Sequence, residues 1–205
     1  QPLRRREPPP HQLAAGVGGV GAVGGAAAPA RDAVIYLSGN AERLEQVVPL
    51  LRQWLPAHSA YALAYRGYGA SDKPPRVYDT ATLTADITQL VTALGEREAI
   101  VVGNDLGGQL AWTAAHTSPG LVSRIVVVGA AHPARLRETM LSEVRGQARA
   151  SAYFTTAFQI PRRPEQRLLS DDTAIQGMFE SWAGDGWRDT EDYAEALGRY
   201  RGALR

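Results

Sequence analysis

Between Ala33 and Gly129, short runs that are apolar at nearly every position alternate with stretches whose apolar residues recur every three or four positions. Ala33–Leu37 (AVIYL) reads as a buried strand stopped by the turn Ser38-Gly39-Asn40. Glu45–Trp54 sets Val47, Val48, Leu50, Leu51 and Trp54 at helical spacing, and Ser59–Ala64 reads as a second strand. Thr82–Leu94 places Leu83, Ile87, Leu90, Val91 and Leu94 on one helical face. Ala99–Val102, the helix Gln109–His116 and the strand Arg124–Gly129 continue the pattern. A strand without a polar face has to be covered on both sides. The alternation therefore predicts an α/β fold, a mostly parallel sheet flanked by helices.

Both flanks differ from this middle. Residues 1–32 open with Arg4-Arg5-Arg6, pass through Pro8-Pro9-Pro10 and become rich in Gly, Ala and Val. That composition predicts a low-complexity, disordered leader, with an export signal as the other reading of its basic start and small-residue end. Residues 33–133 form the expected core. Residues 134–205 show no strand pattern but several helix-compatible stretches, among them Leu136–Arg149, Glu165–Leu169, Thr173–Phe179 and Glu191–Leu204. They predict a helical subdomain that follows the sheet strands.

Composition narrows the chemistry. The chain has no cysteine, which removes disulfides, thiolate catalysis and cysteine-ligated zinc. Its 22 basic and 21 acidic residues nearly cancel, so no field points to nucleic acid or to an anionic surface. No apolar run is long enough for a membrane span. The four histidines (His11, His58, His116 and His132) form no H-x-x-x-H pair, so no metal is expected.

The strongest chemical signal is Gly103-Asn104-Asp105-Leu106-Gly107, a G-x-D-x-G between a strand and a helix. A nucleophile displayed on such a sharp turn leaves room only for minimal side chains two positions away, which accounts for Gly103 and Gly107. The turn would present Asp105 at the carboxyl end of the sheet, where open α/β folds bind ligands. A carboxylate there can displace a leaving group from carbon and form an ester, whereas serine would favour acyl transfer. The other reading is that Asp105 merely caps the following helix.

Further phrases follow in order: Leu37-Ser38-Gly39-Asn40-Ala41, Arg66-Gly67-Tyr68-Gly69-Ala70-Ser71-Asp72-Lys73-Pro74, Gly103 to Gly108, and Ala130-Ala131-His132-Pro133. Together they resemble the epoxide hydrolase and haloalkane dehalogenase branch of the α/β-hydrolase fold family. They stand respectively for its first-strand H-G-x-P turn, its R-G-[YF]-G-x-S-x-x-P loop, its G-H-D-W-G-G elbow and the segment where its helical cap begins.

The resemblance implies an ester formed on Asp105 and an oxyanion hole from the backbone N–H groups of Leu106 and Asn40, worth roughly 3–4 kcal/mol per donor. It implies a cap tyrosine that protonates the opening epoxide. Ser151-Ala152-Tyr153-Phe154, followed by Phe158-Gln159-Ile160-Pro161, makes Tyr153 that acid. Leu106 stands where dehalogenases carry a halide-binding tryptophan, which favours epoxide over halide. Arg66 and Asp72 are expected to fix their loop by charge-assisted hydrogen bonds. Trp112 is expected in the core, Trp182 and Trp187 in cap packing, and His132 in no catalytic role.

The pattern also departs from the family. Ser38 and Ala41 replace the histidine and proline of the first turn, Asn104 and Leu106 alter the elbow, and no opening β-hairpin is visible in the leader. The resemblance places the acid and histidine of the triad after the cap, whereas the sequence ends at Arg205, within it. The expectation is a core incomplete at its C-terminal side, whose ester forms with no placed base to release it. The expected function is cofactor-independent opening of a small apolar epoxide to a vicinal diol, in a cytoplasmic protein (exported if the leader is a signal). An inert remnant that binds apolar molecules, a dehalogenase or esterase relative, and a homodimer are left open.

Overall fold

The computed structural model describes residues 13–14, 21–25, 32–38, 44–68, 71–149, 151–152, 159–170 and 172–203. Among the described residues six strands form one sheet: β1 (Leu13–Ala14), β2 (Gly21–Gly25), β3 (Ala33–Leu37), β4 (Ser59–Ala64), β5 (Ala99–Asn104) and β6 (Val122–Val128). Their order across the sheet is β1-β2-β4-β3-β5-β6. β4, β3, β5 and β6 run parallel, each joined to the next in sequence by a helix or a long crossover. The parallel sheet follows from the apolar runs, as expected.

The leader departs from expectation. β1 pairs antiparallel with β2, and β2 pairs antiparallel with β4 from Gly21↔Ala64 to Gly25↔Ala60. A segment read as structureless thus supplies a hairpin that covers the free edge of β4. Its Gly/Ala/Val composition gives no alternation to read. The ladder is made by backbone amides and carbonyls, which this composition does not obstruct.

Helices α1 (Leu44–Trp54), α2 (Thr80–Ala93) and α3 (Leu106–Thr117) flank the sheet. Alternation along β4 divides the core. Ala60 and Ala62 pack with Val48 and Leu51 of α1. Tyr61 and Leu63 join Ile35, Leu37, Val101, Leu83, Ile87, Leu90, Val91, Leu110 and Ala114 in the larger cluster under α2 and α3. Leu50 and Trp54, expected on the apolar face of α1, are exposed. Two small alanines give that helix a narrow contact, and Val48 and Leu51 fill it. On β6, Ile125 and Val127 lean on the main cluster while Val126 and Val128 are about half exposed, at 50% and 55%.

The chain forms two compact units, Gln1–Leu136 and Arg137–Arg205. Helix α4 (Pro133–Ser142) starts at the end of the first, and a short π-helical turn follows at Val144–Ala148. In the second unit, α5 (Arg163–Ser170), α6 (Asp172–Trp182) and α7 (Glu191–Ala203) surround an apolar centre of Ile175, Tyr193 and Leu197. Trp187 stacks on Phe179 at 6.3 Å between ring centroids and donates its indole N–H to Asp192 at 2.7 Å, a packing role as expected. Among the described residues no helix is long and apolar enough to cross a membrane.

Candidate active site

The register of the parallel strands decides what meets at the carboxyl end of the sheet. Leu37 at the end of β3 lies level with Leu63 of β4 and with Gly103 of β5. Three loops therefore leave from one row: Ser38 after β3, Tyr65 and Arg66 after β4, and Asp105 after β5. Carboxyl ends of parallel strands are where such sheets bind ligands.

Asp105 occupies the single-residue turn between β5 and α3 with φ 51° and ψ −115°. A positive φ is costly for a residue with a Cβ, on the order of 1–3 kcal/mol, and persists only where the surroundings impose it. Here they do. A Cβ on Gly103 would collide with the Gly107 carbonyl, and one on Gly107 with the Leu37 carbonyl. A Cβ on Gly108 would come within 2.6 Å of the Ala130 methyl. The turn is pinned by the Asp105 N–H, which donates to the Val128 carbonyl at 3.0 Å, and by Gln109 N–H, which donates to the Asp105 carbonyl at 3.2 Å. The Asp105 carboxylate makes no capping hydrogen bond to α3. The residue is exposed. Reading it as a helix cap fails on that geometry.

Leu106 opens α3, and the first amides of a helix have no carbonyl partner inside it. Its N–H directly follows Asp105 in the chain. Asn40 and Tyr153, the other two residues singled out for the chemistry, lie outside the described residues.

The loop after β4 contributes more than the motif suggested. Arg66 forms a bidentate pair with Asp86 of α2, at 2.7 Å (Nε to Oδ2) and 2.6 Å (Nη2 to Oδ1). Its Nη1 also donates to the Val77 carbonyl at 3.2 Å. Arg66 thus fixes its loop by charge-assisted hydrogen bonds, as expected, with Asp86 as the partner, whereas Asp72 contributes its carbonyl, which accepts the Gly67 N–H at 2.8 Å. Ser71 hydroxyl closes the end of β4 by donating to the Ala64 carbonyl at 2.7 Å. Gly67 is required at φ 86°, where a Cβ would also press on the Tyr78 ring at 2.8 Å.

Tyr68, unassigned in the sequence reading, stands close enough to Asp105 to feel its charge. Burial, and then the negative charge of Asp105, push its hydroxyl above the ordinary 10.0, so it holds its proton. Its edge-to-face contact with Tyr65, at 6.0 Å between centroids, sets the ring. The visible signal was its place in the R-G-Y-G phrase. What could not be read was its proximity to Asp105, which depends on two loops from different strands.

His132 stands at the start of α4, where its Nδ1 accepts the Ala134 N–H at 3.2 Å, and its ring meets Trp112 edge-on at 4.9 Å. Trp112, expected in the core, is only partly buried and packs on His132 instead of joining the main cluster. Gln109 donates from Nε2 to the Ala131 carbonyl at 3.0 Å and ties α3 to the same junction.

The sequence model of the family described as alpha/beta hydrolase fold matches residues 32–199. The chain belongs to that family. It is 34% identical over 134 residues to Epoxide hydrolase 4 of Mus musculus, a match that spans 64% of this chain and 37% of the relative. It is 34% identical over 124 residues to Epoxide hydrolase 3 of Xenopus tropicalis, spanning 60% and 33%. The chain thus spans about a third of the length of these curated relatives. Among solved structures, a Bacillus megaterium epoxide hydrolase in complex with an inhibitor superposes with a TM-score of 0.71 at 21% identity, over 87% of this chain and 62% of that one. At that identity the likeness carries the fold. This α/β-hydrolase is similar in sequence to epoxide hydrolases.

Proposed function

We propose that the chain is an epoxide hydrolase-like hydrolase that opens an epoxide to a vicinal diol, with Asp105 as the attacking group. The observation that carries this reading is the Asp105 side chain, displayed from a strained turn between close-packed glycines and making no cap bond to the helix behind it. A structural aspartate would gain nothing from that backbone, whereas a nucleophile gains exposure at the carboxyl end of the sheet. Similarity to epoxide hydrolases supports an epoxide as the substrate class.

In the proposed reaction an Asp105 carboxylate oxygen attacks one epoxide carbon, and the carbon–oxygen bond of the ring breaks. The resulting alkoxide takes a proton from the Tyr153 hydroxyl, leaving a hydroxyalkyl ester on Asp105. Water then attacks the ester carbonyl carbon. The tetrahedral oxyanion is held by the backbone N–H groups of Leu106 and Asn40, and its collapse releases the vicinal diol and restores the carboxylate. Hydrolysis frees one proton net, which restores the Tyr153 hydroxyl; the base that first takes it from the attacking water is, by the resemblance, a histidine after the cap.

Intact-mass measurement after incubation with styrene oxide tests the first step. The expected result is a covalent adduct of one styrene oxide per chain, absent in Asp105→Asn, with or without turnover to diol. No adduct and no diol would contradict the nucleophile and favour an inert binding protein. An adduct that persists in Asp105→Asn would place the chemistry elsewhere.

A further inference from the structure

Tyr68 stands near Asp105 on a loop that is fastened at both ends. Tyr65, three residues before it, reaches from the end of β4 to the end of β3, where its hydroxyl donates to the Ser38 carbonyl at 3.0 Å. The Tyr68 ring meets this buried ring edge-on, with 6.0 Å between centroids. That contact sets Tyr68 at the carboxyl end of the sheet beside β3, the strand between β4 and β5. Asp105 leaves from the end of β5, and its charge reaches the Tyr68 hydroxyl. Tyr68 is 40% exposed, so one part of it rests on protein and the rest faces the open space at the carboxyl end.

The backbone under the ring is tied firmly. The Tyr68 N–H donates to the Tyr65 carbonyl, and the Tyr68 carbonyl accepts the Ser71 N–H, both at 3.0 Å. Arg66 joins the loop to Asp86 of α2 and to the Val77 carbonyl. Val77 is held at φ 69°, which a β-branched residue adopts only under constraint. Tyr68 is thus a fixed ring at the edge of the space in front of Asp105.

Displacement at an epoxide carbon requires alignment: the carboxylate oxygen approaches along the extension of the carbon–oxygen bond that breaks. The departing oxygen then lies on the far side of that carbon. A group beside Asp105 meets instead the substituents that the carbon carries. A carbon with two hydrogens clears a fixed ring, whereas an added alkyl group presses on it. We propose that the Tyr68 ring is a specificity-determining wall, which confines attack by Asp105 to an unsubstituted epoxide carbon and so directs the site to terminal epoxides. This rests on Asp105 being the nucleophile. The ring acts by its bulk, and its hydroxyl takes no part.

The test treats the chain with an equimolar mixture of styrene oxide, which has a CH2 carbon, and trans-1-phenylpropylene oxide, in which that carbon bears a methyl group. The two adducts are resolved by intact mass before either ester is released. Their ratio compares both substrates on the same folded molecules, so a loss of folded chain does not move it. Wild type is expected to favour the styrene oxide adduct by about tenfold or more, the scale on which a pocket discriminates one methyl group. Tyr68→Ala is expected to shift the ratio toward the methylated epoxide by about tenfold. Tyr68→Phe keeps the ring and is expected to stay within about twofold of wild type. If the alanine chain does not fold, the shift is read on Tyr68→Leu. Equal labelling of wild type by both epoxides, an unchanged ratio in the alanine chain, or a phenylalanine chain that shifts as far as the alanine chain overturns the wall and leaves the nucleophile standing. A wild-type chain that forms neither adduct overturns both.

Discussion

Asp105 combines a strained backbone with an exposed carboxylate, and the two can be separated experimentally. At φ 51° and ψ −115°, glycine would sit without penalty. Asp105→Gly is therefore predicted to raise unfolding stability by about 1 kcal/mol in urea denaturation while abolishing adduct formation. Asp105→Asn keeps the strain and loses the adduct alone. A glycine variant no more stable than wild type would mean that the turn holds no strain. The same carboxylate acts on Tyr68. Because its negative charge disfavours a neighbouring phenolate, Asp105→Asn should bring the Tyr68 titration to lower pH, although burial still holds it above 10.0. Difference absorbance against Tyr68→Phe identifies the group, and an unmoved titration would show that the two do not interact. A proton held more tightly in the folded than in the unfolded chain adds stability at neutral pH that is lost as pH rises through the raised value. Of this residue-scale picture, Gly103 and Gly107 were legible in the sequence because clearance around a tight turn is a local matter. The influence of Asp105 on Tyr68 was not, because the two stand on loops after different strands, which only the strand register brings near.

At the scale of elements, the loop after β4 is fastened to α2 by the Arg66–Asp86 pair. The two side chains are 12% and 5% exposed. Removing one partner leaves the other charge buried, at a typical cost of 3–5 kcal/mol, so Asp86→Asn should lower unfolding stability by about 3 kcal/mol. Chemical denaturation checks this. A loss below about 1 kcal/mol would mean that water reaches the guanidinium and replaces the carboxylate. The sequence showed that Arg66 anchors its loop but not to what, since Asp72, Asp79 and Asp86 are all carboxylates within reach of a flexible chain. Asp79 is used elsewhere: it caps α2, accepting the Thr82 hydroxyl at 2.7 Å and the Thr82 N–H at 2.9 Å, which together hold its carboxyl below the ordinary carboxylate value. Helix α1 shows the opposite limit. Its periodic pattern was legible, yet Leu50 and Trp54 face outward because Ala60 and Ala62 offer only a narrow contact surface.

For the whole molecule, apolar strand runs alternating with helices were enough to predict a parallel sheet, and the motif order placed it in its family. The strand order and the hairpin of β1 and β2 were beyond sequence reasoning, because Gly/Ala-rich strands lack side-chain alternation. Deleting residues 1–25 would expose the backbone of Ala60–Ala64 as a free edge. The shortened chain is predicted to melt at lower temperature and to associate with rising concentration in light scattering. An unchanged melt and a monomeric shortened chain would contradict the pairing. The account as a whole turns on where the covalent bond forms. Peptide mapping after styrene oxide treatment, followed by release of the ester in ¹⁸O-labelled water, tests this directly. The account predicts the added mass on Asp105 within the peptide that joins β5 to α3, and ¹⁸O retained in that carboxylate after release. Modification at any other side chain, or a regenerated Asp105 without the label, would contradict it.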